Sequence, residues 1–438
     1  MHIVVIGSGY VGIVTAACFA KFNLKVTCVD HDQDKVRTLA TGQVPIYEPE
    51  LEALVQAGIQ SGNLSFSSDK SIIGSANVIV VAVGTPSGPD GTVELSYLHS
   101  VVDDIVQYSI SDKIVMIKST VPVGTAQDVK RRLNQRLKHI QFQVISNPEF
   151  LREGNAVQDF LHPDRIVIGC DESYRQNPKE ITTIYSSIID SGTPILFTDN
   201  QTAELIKYAA NGYLAMRLSF INEIANIAEK WNADVCDISK GIGMDKRIGP
   251  EYLKPGPGFG GSCFPKDTLG LLKTSEQCGE HSLLVDATIR SNDMRKERML
   301  KKITDAIEDG EDEKTVAVLG LAFKNNTDDM RDSPSISIIE HLLKLNTRVQ
   351  VYDPKALKEG FKIFGDKITY CTDLYQAVTG ASGIVIATEW SEFASMDLKL
   401  VKQLVKKPVI VDLRNILSLT NMRNTGFRYV SIGRPNLN

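Results

Sequence analysis

Short apolar runs rich in β-branched residues recur in both halves of the chain. In the first half they cover residues 2–6, 25–29, 78–83, 114–118 and 142–146, and in the second half residues 315–319, 348–352, 384–388 and 408–414. Segments of helical spacing separate several of them, which is typical of parallel strands joined by crossover helices. The pattern therefore predicts an α/β protein with two Rossmann-like, doubly wound parallel-sheet domains.

A long helix is predicted between these two α/β domains. From residue 199 to about residue 231 the spacing is helical, and Gly212 is the only glycine or proline in that stretch. Such a helix would extend roughly 45 Å, enough to link two domains and to offer a dimer surface. Within it Glu204, Lys207 and Asn211 form one polar stripe. That stripe either serves a site or is the solvated side of the helix.

The length of 438 residues favours two or three domains. We predict an N-terminal Rossmann domain over residues 1–198 and a central helical, dimerising domain over residues 199–308. An acidic, polar linker near residues 309–314 then leads into a C-terminal Rossmann-like domain over residues 309–438.

The first apolar run is followed at once by a glycine-rich turn. Gly7, Gly9 and Gly12 form a GxGxxG pattern at the start of a helix. Asp30, which ends the next strand, follows Gly12 by 18 residues. These glycines permit a tight turn, close approach of a pyrophosphate, and helix–strand packing. An acid at position 30 would bind ribose hydroxyls and repel a 2′-phosphate, so NAD is favoured over NADP. The alternative is a βαβ turn without a nucleotide.

Polar residues follow the later strands of this domain. Thr85 and Thr120 stand where a cofactor would pass, although threonine before proline is also an ordinary turn residue. Glu149 and Glu153 would share a face if their segment is helical. Two carboxylates beside a cofactor can perform acid–base chemistry, and the alternative is a solvated helix start.

The segment 255–267 carries the candidate nucleophile, Cys263. The glycines before this cysteine would let a ligand and the backbone approach closely, and Pro265 suits the first turn of a helix. Cys263 is therefore predicted at or just before a helix N-terminus and close to Lys266, and both features lower the pKa of a thiol in general. The alternative is a small buried cysteine in a turn.

The second half of the chain repeats the first with a degraded nucleotide turn. Residues 315–320 echo residues 2–7, and residues 348–353 echo residues 25–30, but the glycine fingerprint is lost after Gly320. This difference suggests that the two domains bind different nucleotides. Four charged residues crowd the loop where the second ligand would lie: Lys324, Asp328, Asp329 and Arg331.

Composition narrows the class of protein. An apolar fraction of 42% and a charged fraction of 23% are those of a globular protein, and a net charge of −5 provides no basic surface for nucleic acid. The seven cysteines are dispersed and never paired as CxxC, which indicates free thiols in the cytoplasm and no metal site. No run approaches the roughly 18 apolar residues of a membrane span, so no membrane partner is expected.

With these motifs in place, the sequence resembles the UDP-glucose 6-dehydrogenase family within the NAD-dependent nucleotide-sugar dehydrogenases. The resemblance covers essentially the whole chain. It is carried by GSGYVG (7–12), VGTP (83–86), KSTVPVGT (118–125), NPEFLREG (147–154), IKYAANGYLA (206–215), GMDKRIG (243–249), YLKPGPGFGGSCFPKD (252–267) and LAFKNNTDDMRDSP (321–334). The cysteine block is highly specific, whereas any one of the shorter motifs alone would not be.

The resemblance implies that two NAD are used in turn to oxidise the primary alcohol of UDP-glucose to the carboxylate of UDP-glucuronate. Cys263 would attack the intermediate aldehyde to form a thiohemiacetal, and a second oxidation would leave a thioester that water hydrolyses. Lys207 and Asn211 would stabilise the oxyanion. The other implied catalytic residues are Asp267 and Thr120, which order the water, and Glu149 or Glu153, which assist proton transfer.

The resemblance also implies the binding residues. NAD would contact Gly7, Gly9, Tyr10, Val11, Gly12, Asp30, Lys35, Thr85, Thr120, Glu153, Lys266 and Arg331. The substrate would contact Glu149, Phe150, Leu151, Arg152, Glu153, Lys207, Asn211, Tyr252, Leu253, Lys254, Pro255, Gly256, Gly260 and Lys324. Arg247 matches an arginine that reaches the substrate of the partner subunit, so a homodimer is expected.

Two other functions fit parts of this pattern. A GDP-mannose dehydrogenase, or another nucleotide-sugar 6-dehydrogenase, would keep Cys263, Lys207 and Asn211 but bind a different base and hexose. A catalytically silent protein that binds NAD or a sugar nucleotide would not need those three residues. For Lys207 an electrostatic role is preferred, since a lysine base needs burial or a cationic neighbour to lower its pKa.

Overall fold

The computed structural model describes residues 1–88, 90–307 and 314–436, which form two β-sheets covered by helices. The first sheet contains β1 His2–Ile6, β2 Lys25–Val29, β3 Leu64–Ser67, β4 Val78–Val81, β5 Lys113–Ile117, β6 Phe142–Ser146, β7 Ile166–Gly169 and β8 Ile195–Thr198. The second sheet contains β9 Thr315–Leu319, β10 Arg348–Tyr352, β11 Thr369–Tyr370, β12 Gly383–Ile386, β13 Val409–Asp412 and β14 Arg428–Val430.

The α-helices are numbered in chain order. They are α1 Tyr10–Lys21, α2 Gln33–Ala40, α3 Leu51–Gln60, α4 Ser96–Tyr108, α5 Thr125–Arg136, α6 Ala156–Leu161, α7 Glu172–Arg175, α8 Lys179–Ile184, α9 Ser186–Ile189, α10 Asn200–Trp231, α11 Val235–Gly243, α12 Phe264–Gln277, α13 Leu283–Ile307, α14 Pro334–Lys344, α15 Leu357–Phe364, α16 Leu374–Val378, α17 Ser391–Ala394, α18 Leu398–Leu404 and α19 Leu419–Met422. Two short 3₁₀ helices cover Lys70–Ser75 and Gly365–Lys367.

The chain forms two compact units. The N-terminal unit comprises Met1–Ala210 and Leu269–Glu280, and the C-terminal unit comprises Asn211–Thr268 and His281–Asn438. The three-part division predicted at residues 198 and 308 stays a prediction. The linker predicted near residues 309–314 lies outside the described residues except for Lys314.

Strand order confirms the two doubly wound sheets. The N-terminal order is β3-β2-β1-β4-β5-β6-β7-β8, and the C-terminal order is β11-β10-β9-β12-β13-β14. Neighbouring strands run parallel except β6 and β7, which meet through one antiparallel pair, Ser146 and Gly169. The order reverses beside β1 and beside β9, which is where such sheets bind ligands at their strand ends. The sequence pattern missed β3, β7, β8, β11 and β14, which have two to four residues each.

The N-terminal sheet is buried on both faces. Ile3 and Val5 of β1 belong to the apolar cluster of α1 and α6, whereas Val4 and Ile6 belong to the cluster of α4 and α5. Full burial of each such side chain contributes roughly 1.5–3 kcal/mol, which explains the uninterrupted β-branched runs.

The predicted long helix is confirmed as α10, with 32 residues. In the N-terminal unit, Asn200 Oδ1 accepts a hydrogen bond from Ser146 N at 2.9 Å. The Glu204 carboxylate accepts from Gly124 N at 2.6 Å and from Ala126 N at 2.9 Å, and thereby caps the start of α5. These bonds fix the first part of α10 to the strand ends of β5 and β6.

The later part of α10 is fixed within the C-terminal unit. Asn222 Oδ1 accepts from Gly256 N at 2.9 Å, and Arg295 Nε of α13 donates to Gly256 O at 2.8 Å. Farther along, Glu229 accepts from Lys302 Nζ at 2.7 Å. The glycine-rich segment before Cys263 is thus held by two long helices.

Two absences apply to the described ranges of the chain. None of the described helices has both the length and the apolar character needed to cross a membrane. Within the same ranges, no group of three or more His, Cys, Asp or Glu residues could hold a metal ion. All seven cysteines are free thiols.

The turn after β9 yields a stability prediction. Gly320 has φ +99°, and a Cβ there would lie 2.3 Å from Thr388 Cβ, whereas Gly380 has φ +72° and nothing within 4 Å. Gly380→Ala should cost about 1–2 kcal/mol from backbone strain alone, and Gly320→Ala about 3 kcal/mol or more because a clash is added. Urea unfolding followed by tryptophan fluorescence measures both, and equal losses would contradict the packing argument.

Candidate active site

The turn between β1 and α1 has the shape that a dinucleotide requires. A Cβ on Gly7 would lie 2.6 Å from Ala82 O, and a Cβ on Gly12 would lie 1.9 Å from Gly7 O, so packing demands glycine at both positions. A Cβ on Gly9 would meet nothing within 4 Å. Gly9 is the N-cap of α1, where free N–H groups and the helix dipole favour a phosphate. These residues fit the pyrophosphate of NAD.

Asp30 directly follows β2 and accepts hydrogen bonds from Ser8, a residue of this turn. Its Oδ2 accepts from Ser8 N at 2.7 Å and from Ser8 Oγ at 2.5 Å, and its Oδ1 accepts from Asp32 N at 3.1 Å. Burial alone would raise the pKa of Asp30, but these hydrogen bonds outweigh burial and keep it below its usual range. Lys35 Nζ lies 3.9 Å from Asp30 Oδ2. The ionised carboxylate suits ribose hydroxyls and disfavours a 2′-phosphate.

Tyr10 connects the turn to the loop 147–154. Its hydroxyl donates to Glu48 Oε2, and Gly154 N approaches the Tyr10 hydroxyl at 2.8 Å and Glu48 Oε2 at 2.6 Å. Glu48 Oε1 accepts from Ala156 N at 2.7 Å, at the start of α6. The buried Glu48 thus joins three segments. Sequence reasoning missed it, because a lone acid in a loop has no periodic signal.

The two predicted threonines belong to neighbouring strand-end loops. Thr85 Oγ1 donates to Thr120 O at 2.8 Å, so the Thr85 side chain joins the loops after β4 and β5. Thr120 lines a small cavity together with Ser146, Glu204 and Lys207. Glu204 belongs to this cavity and was not among the predicted site residues, although it stands on the predicted polar stripe.

The loop 147–154 is irregular, so Glu149 and Glu153 do not share a helix face. Instead, Lys207 Nζ donates to Glu149 Oε1 at 3.0 Å, with side chains only 4% and 7% exposed. Glu149 Oε2 accepts from Leu151 N at 2.6 Å. Removed from water, this ion pair interacts more strongly than a surface pair. Glu153 is buried in the same loop.

Aromatic and charged contacts support the rest of this loop. The Phe150 ring lies 3.7 Å from the Arg165 guanidinium and 5.5 Å from Lys207 Nζ. Arg152 forms a two-pronged ion pair with Asp159, at 2.9 and 2.6 Å. Phe150 and Arg152, two of the predicted substrate contacts, are therefore held in place by other protein side chains. Arg165, which contacts Phe150, was not among the predicted site residues.

In the C-terminal unit, Cys263 directly precedes α12, as predicted. Asp267 N donates to Cys263 O at 2.8 Å, the first hydrogen bond of the helix, so Cys263 occupies the N-cap position. The thiol is half-buried, and Ser262 Oγ lies 3.5 Å from its Sγ. A helix N-terminus favours the thiolate form, which is the reactive one.

A buried carboxylate lies one turn further along α12. Asp267, 1% exposed, accepts from Asn211 Nδ2 at 2.6 Å through Oδ2 and from Lys266 Nζ at 2.5 Å through Oδ1. Asn211 belongs to α10, four residues after Lys207, so the two side chains share a helix face. Three of the predicted residues, Asn211, Lys266 and Asp267, thus form one network.

The glycines before Cys263 serve packing as well as ligand access. A Cβ on Gly260 would lie 2.1 Å from Asp332 O, and a Cβ on Gly261, with φ +79°, would lie 2.8 Å from the Phe323 ring. Gly261 N also donates to Arg331 O at 2.9 Å. The sequence pattern predicts that these glycines make room for a ligand. At Gly260 and Gly261, however, the atoms that a Cβ would meet belong to the loop after β9.

Aromatic rings stabilise the same segment. Tyr252 has φ 58°, a strained conformation for a bulky residue, and its ring lies 6.0 Å from that of Phe264. Phe259 meets Phe264 edge-to-face at 5.9 Å. Strain of this kind persists only where surrounding contacts enforce it, and it is concentrated at functional sites.

The other predicted substrate residues differ in exposure. Leu253 and Pro255 are buried, Gly256 and Lys324 are half-buried, and Lys254 is exposed. Val11, which was predicted to contact NAD, is half-buried. Arg247 is 89% exposed and pairs with Asp245, the atoms Nη2 and Oδ2 being 2.6 Å apart. Its exposure suits a residue that would act outside its own subunit.

Asp353 shows why the second nucleotide turn differs from the first. It occupies the position of Asp30 at the end of β10, but it is 1% exposed. Its donors are Leu321 N at 2.7 Å, Ala322 N at 3.0 Å, Trp390 Nε1 at 3.1 Å, and Lys355 N and Ala356 N at 2.8 Å each. Five donors saturate the carboxylate, so it cannot bind the ribose of a dinucleotide.

Arg414 is a cation of the C-terminal unit that sequence reasoning missed. Its Nε donates to Ala387 O at 2.7 Å and lies 3.1 Å from Glu389 Oε2, and its Nη2 donates to Phe323 O at 2.6 Å. These partners stand after β12 and β9, on the two sides of the strand reversal. A Cβ on Gly256 would lie 3.5 Å from Arg414 Nη1. The sequence signal that could have identified Arg414 is its position two residues after Asp412, the aspartate that ends β13.

The two turns, the N-cap cysteine and the buried polar pairs define the class of protein: an NAD-dependent oxidoreductase with two α/β nucleotide-binding units. The chain belongs to the UDP-glucose/GDP-mannose dehydrogenase family. Residues 1–189 match the NAD binding domain of that family, residues 201–294 its central domain, and residues 317–419 its UDP binding domain. It therefore oxidises nucleotide sugars and uses NAD.

Individual relatives extend over nearly the whole chain. A UDP-glucose 6-dehydrogenase of Rhizobium meliloti is 45% identical and covers 99% of this chain and 100% of its own. A UDP-glucose 6-dehydrogenase of Bacillus subtilis is 42% identical, with 99% and 93% covered. The solved UDP-glucose dehydrogenase of Pyrobaculum islandicum is 35% identical, covers 95% and 94%, and has a TM-score of 0.88.

Asp30 yields a prediction on cofactor choice. Asp30→Asn should lower kcat/KM for NAD about tenfold and raise the NADP-to-NAD ratio, because the charge that repels a 2′-phosphate is gone. Asp32→Asn removes the same charge from an exposed helix N-cap and serves as the matched control. Initial rates with both cofactors measure the ratio, and an unchanged ratio in Asp30→Asn would contradict this role.

Proposed function

We propose that this chain converts UDP-glucose to UDP-glucuronate by oxidising the primary alcohol of the sugar to a carboxylate in two NAD-dependent steps. The names of the Rhizobium meliloti and Bacillus subtilis relatives support UDP-glucose as the substrate. The observation that carries the mechanism is Cys263 at the N-cap of α12, one helical turn before the Asn211–Asp267 pair. A nucleophile at that position suits an oxidation that must proceed beyond an aldehyde.

The first oxidation requires a base and a stabilised oxyanion. NAD, when bound, accepts the hydride that leaves the sugar carbon in each oxidation. Glu149 is the candidate proton acceptor for the alcohol, assisted by Glu153, because carboxylates held near a cofactor can take part in proton transfer. The Lys207 ammonium, fixed by Glu149 at 3.0 Å, stabilises the developing negative charge on oxygen. An ion-paired ammonium suits this electrostatic role better than that of a free base.

Cys263 retains the aldehyde. Its thiolate adds to the carbonyl carbon, a C–S bond forms, and the carbonyl oxygen becomes an oxyanion that Asn211 and Lys207 stabilise as hydrogen-bond donors. Loss of the second hydride from this thiohemiacetal yields a thioester. Water, ordered by Asp267 and Thr120, then attacks the thioester carbon and releases its two protons to solvent, and the C–S bond breaks to regenerate the thiolate and release the carboxylate.

The remaining predicted residues would bind the two nucleotides. Glycines 7, 9 and 12 with Tyr10, Val11, Asp30, Lys35, Thr85, Lys266 and Arg331 are assigned to NAD. The segment from Tyr252 to Gly260, together with Phe150, Leu151, Arg152 and Lys324, is assigned to the nucleotide sugar. To these we add Arg414, because a guanidinium at the strand ends of the second sheet suits a diphosphate.

Stoichiometry tests this function most directly. The parent enzyme should form two NADH for each UDP-glucose consumed, and Cys263→Ser should stall after the first oxidation with kcat reduced by roughly 10³-fold or more, since the hydroxyl is a far weaker nucleophile. Cys278→Ser replaces an exposed cysteine and is the control. NADH absorbance with product analysis measures both. One NADH per sugar in the parent, or full turnover in Cys263→Ser, would refute the mechanism.

GDP-mannose dehydrogenase is the second candidate function. The family includes both activities, and the same cysteine, lysine and asparagine would serve either substrate. Parallel assays with UDP-glucose, UDP-N-acetylhexosamines and GDP-mannose discriminate them by kcat/KM. Binding of NAD and a sugar nucleotide without NADH formation would instead indicate a silent binding protein.

A homodimer through α10 is part of the proposal. Tyr213, Phe220 and Ile227 recur at intervals of seven residues on α10 and are 50–56% exposed, and Trp231 is 82% exposed. Exposed apolar residues that recur along one helix in this way are typical of an interaction surface. In such a dimer the exposed Arg247 would reach the substrate of the partner subunit.

Charge on this stripe should dissociate the dimer. The double variant Phe220→Asp, Ile227→Asp should sediment as a monomer, because burying two unpaired carboxylates costs several kcal/mol. Leu400→Asp, at a 37% exposed position on α18, is the control and should leave the sedimentation coefficient unchanged. A monomeric parent protein, or a double variant that still dimerises, would contradict this interface.

A further inference from the structure

Glu48 is a buried carboxylate that the mechanism above does not use. It lies between α2 and α3 in the chain and is 5% exposed. Its Oε1 accepts from Ala156 N at 2.7 Å and from Val157 N at 3.4 Å, both in the first turn of α6. Its Oε2 accepts from Gly154 N at 2.6 Å and from the Tyr10 hydroxyl. Four donors from two distant segments of the chain therefore converge on one side chain.

The bonds to Oε1 replace a local cap of α6. The side chain of Asn155, the N-cap residue, donates to Asp159 Oδ1 at 2.7 Å instead of capping the helix. The first N–H groups of a helix have no acceptor within the helix, and buried ones need another. Ala156 and Val157 are buried, and the remote carboxylate supplies that acceptor. Stability of α6 thus accounts for one oxygen of Glu48 but not for the other.

The bonds to Oε2 join two parts of the candidate active site. Tyr10 is the first residue of α1 and follows Gly9, whose open surroundings suit a pyrophosphate. Gly154 ends the loop 147–154 and has φ +78°. Its N–H lies 2.8 Å from the Tyr10 hydroxyl and 2.6 Å from Glu48 Oε2. One carboxylate oxygen therefore links the turn assigned to NAD with the loop that carries the candidate proton-transfer residues.

Other bonds fix the start and the middle of this loop. Asn147 Oδ1 accepts from Tyr185 OH at 2.6 Å, and Glu149 Oε1 accepts from Lys207 Nζ at 3.0 Å. At its end, the loop is bound to the cofactor turn by Glu48. Reacting groups must keep a fixed geometry, because a misplacement of about 1 Å can cost roughly 10²-fold in rate. The bond made by Glu48 lies where it can control that geometry.

We propose that Glu48 is a positioning residue that holds the end of the loop 147–154 against the cofactor turn through Tyr10. It thereby sets where bound NAD lies relative to the proton-transfer residues Glu149 and Glu153. The proposal rests on the function proposed above. The role of Glu48 is geometric rather than proton transfer, because both of its oxygens accept hydrogen bonds from groups of the fold.

A single-turnover experiment separates this role from a loss of folded protein. Enzyme is mixed in excess over UDP-glucose at saturating NAD, and the rate constant of the first NADH formation is measured by stopped-flow absorbance. Glu48→Ala should lower this rate constant about tenfold or more, because the loop and the turn lose their link. A partly unfolded preparation would lower the steady-state rate but not this rate constant, since folded enzyme stays in excess over the sugar. An unchanged rate constant in Glu48→Ala would overturn the proposal.

Glu50→Ala is the matched control. Glu50 belongs to the same segment, is exposed, and its Oε1 accepts from Gln158 Nε2 of α6 at 2.7 Å. The control therefore removes a carboxylate and a bond to α6 but leaves the link to the cofactor turn intact. Its rate constant should equal that of the parent. An equal loss in Glu48→Ala and Glu50→Ala would contradict the proposal.

Tyr10→Phe separates the two oxygens of Glu48 and keeps the test decisive if Glu48→Ala does not fold. It removes the hydroxyl that reaches Oε2 and leaves both bonds to α6. Fluorescence titration with NADH should show the Kd raised about fivefold in Tyr10→Phe and in Glu48→Ala, and unchanged in Glu50→Ala. A parent Kd in Tyr10→Phe would reduce Glu48 to a cap of α6 and refute the link.

The two measurements distinguish failure of this proposal from failure of the proposed function. The NADH titration needs no sugar, so it tests the link between Glu48 and the cofactor turn whatever the substrate is. A parent enzyme that forms no NADH from UDP-glucose would refute the proposed function instead.

Discussion

The buried ion pair between Lys207 and Glu149 is the interaction on which the N-terminal part of the site depends. It joins a 32-residue helix to an irregular strand-end loop, and both partners have lost nearly all contact with water. Breaking such a pair by removing one partner typically costs 3–5 kcal/mol, because the other charge is left uncompensated. The hydrogen bonds of Glu204 and Asn147 hold the two sides of the pair in place. The Lys207 ammonium is thus fixed by folding itself, before any ligand arrives.

The two α/β units show how one topology serves two nucleotides. Both have a strand reversal beside their first strand, and both place an aspartate at the end of the second strand. In the first unit, Asp30 keeps its edge position and Gly9 leaves open space for a pyrophosphate. In the second unit the equivalent aspartate, Asp353, accepts hydrogen bonds only from internal donors such as the Trp390 indole. Arg414 instead bonds to the loops on the two sides of the strand reversal. The difference between the two turns therefore involves the acid and the basic residue as much as the glycines.

Periodicity and spacing predicted what depends on local sequence. The β-branched runs, α10, the glycine turn and the helix start after Cys263 all have signals within a few residues of themselves. The loop 147–154 is a different case, because its Glu149 and Glu153 spacing allowed a helix that the long-range bonds of Asn147 and Gly154 exclude. Glu48 was missed for the same reason, since its side chain bonds to Tyr10, Gly154 and Ala156, which lie 38 to 108 residues away. Roles of the remaining site residues came from family resemblance rather than from spacing.

The saturated environment of Asp353 limits how this domain can be redesigned. Grafting the missing glycines into the turn after β9 would restore the backbone shape of a dinucleotide site but leave the aspartate bound to the Trp390 indole and to four backbone N–H groups. Releasing it would strand those donors in the interior, each at a cost of about 1–3 kcal/mol. Divergence of the two halves is therefore difficult to reverse stepwise, since no single substitution both frees the acid and satisfies its former partners.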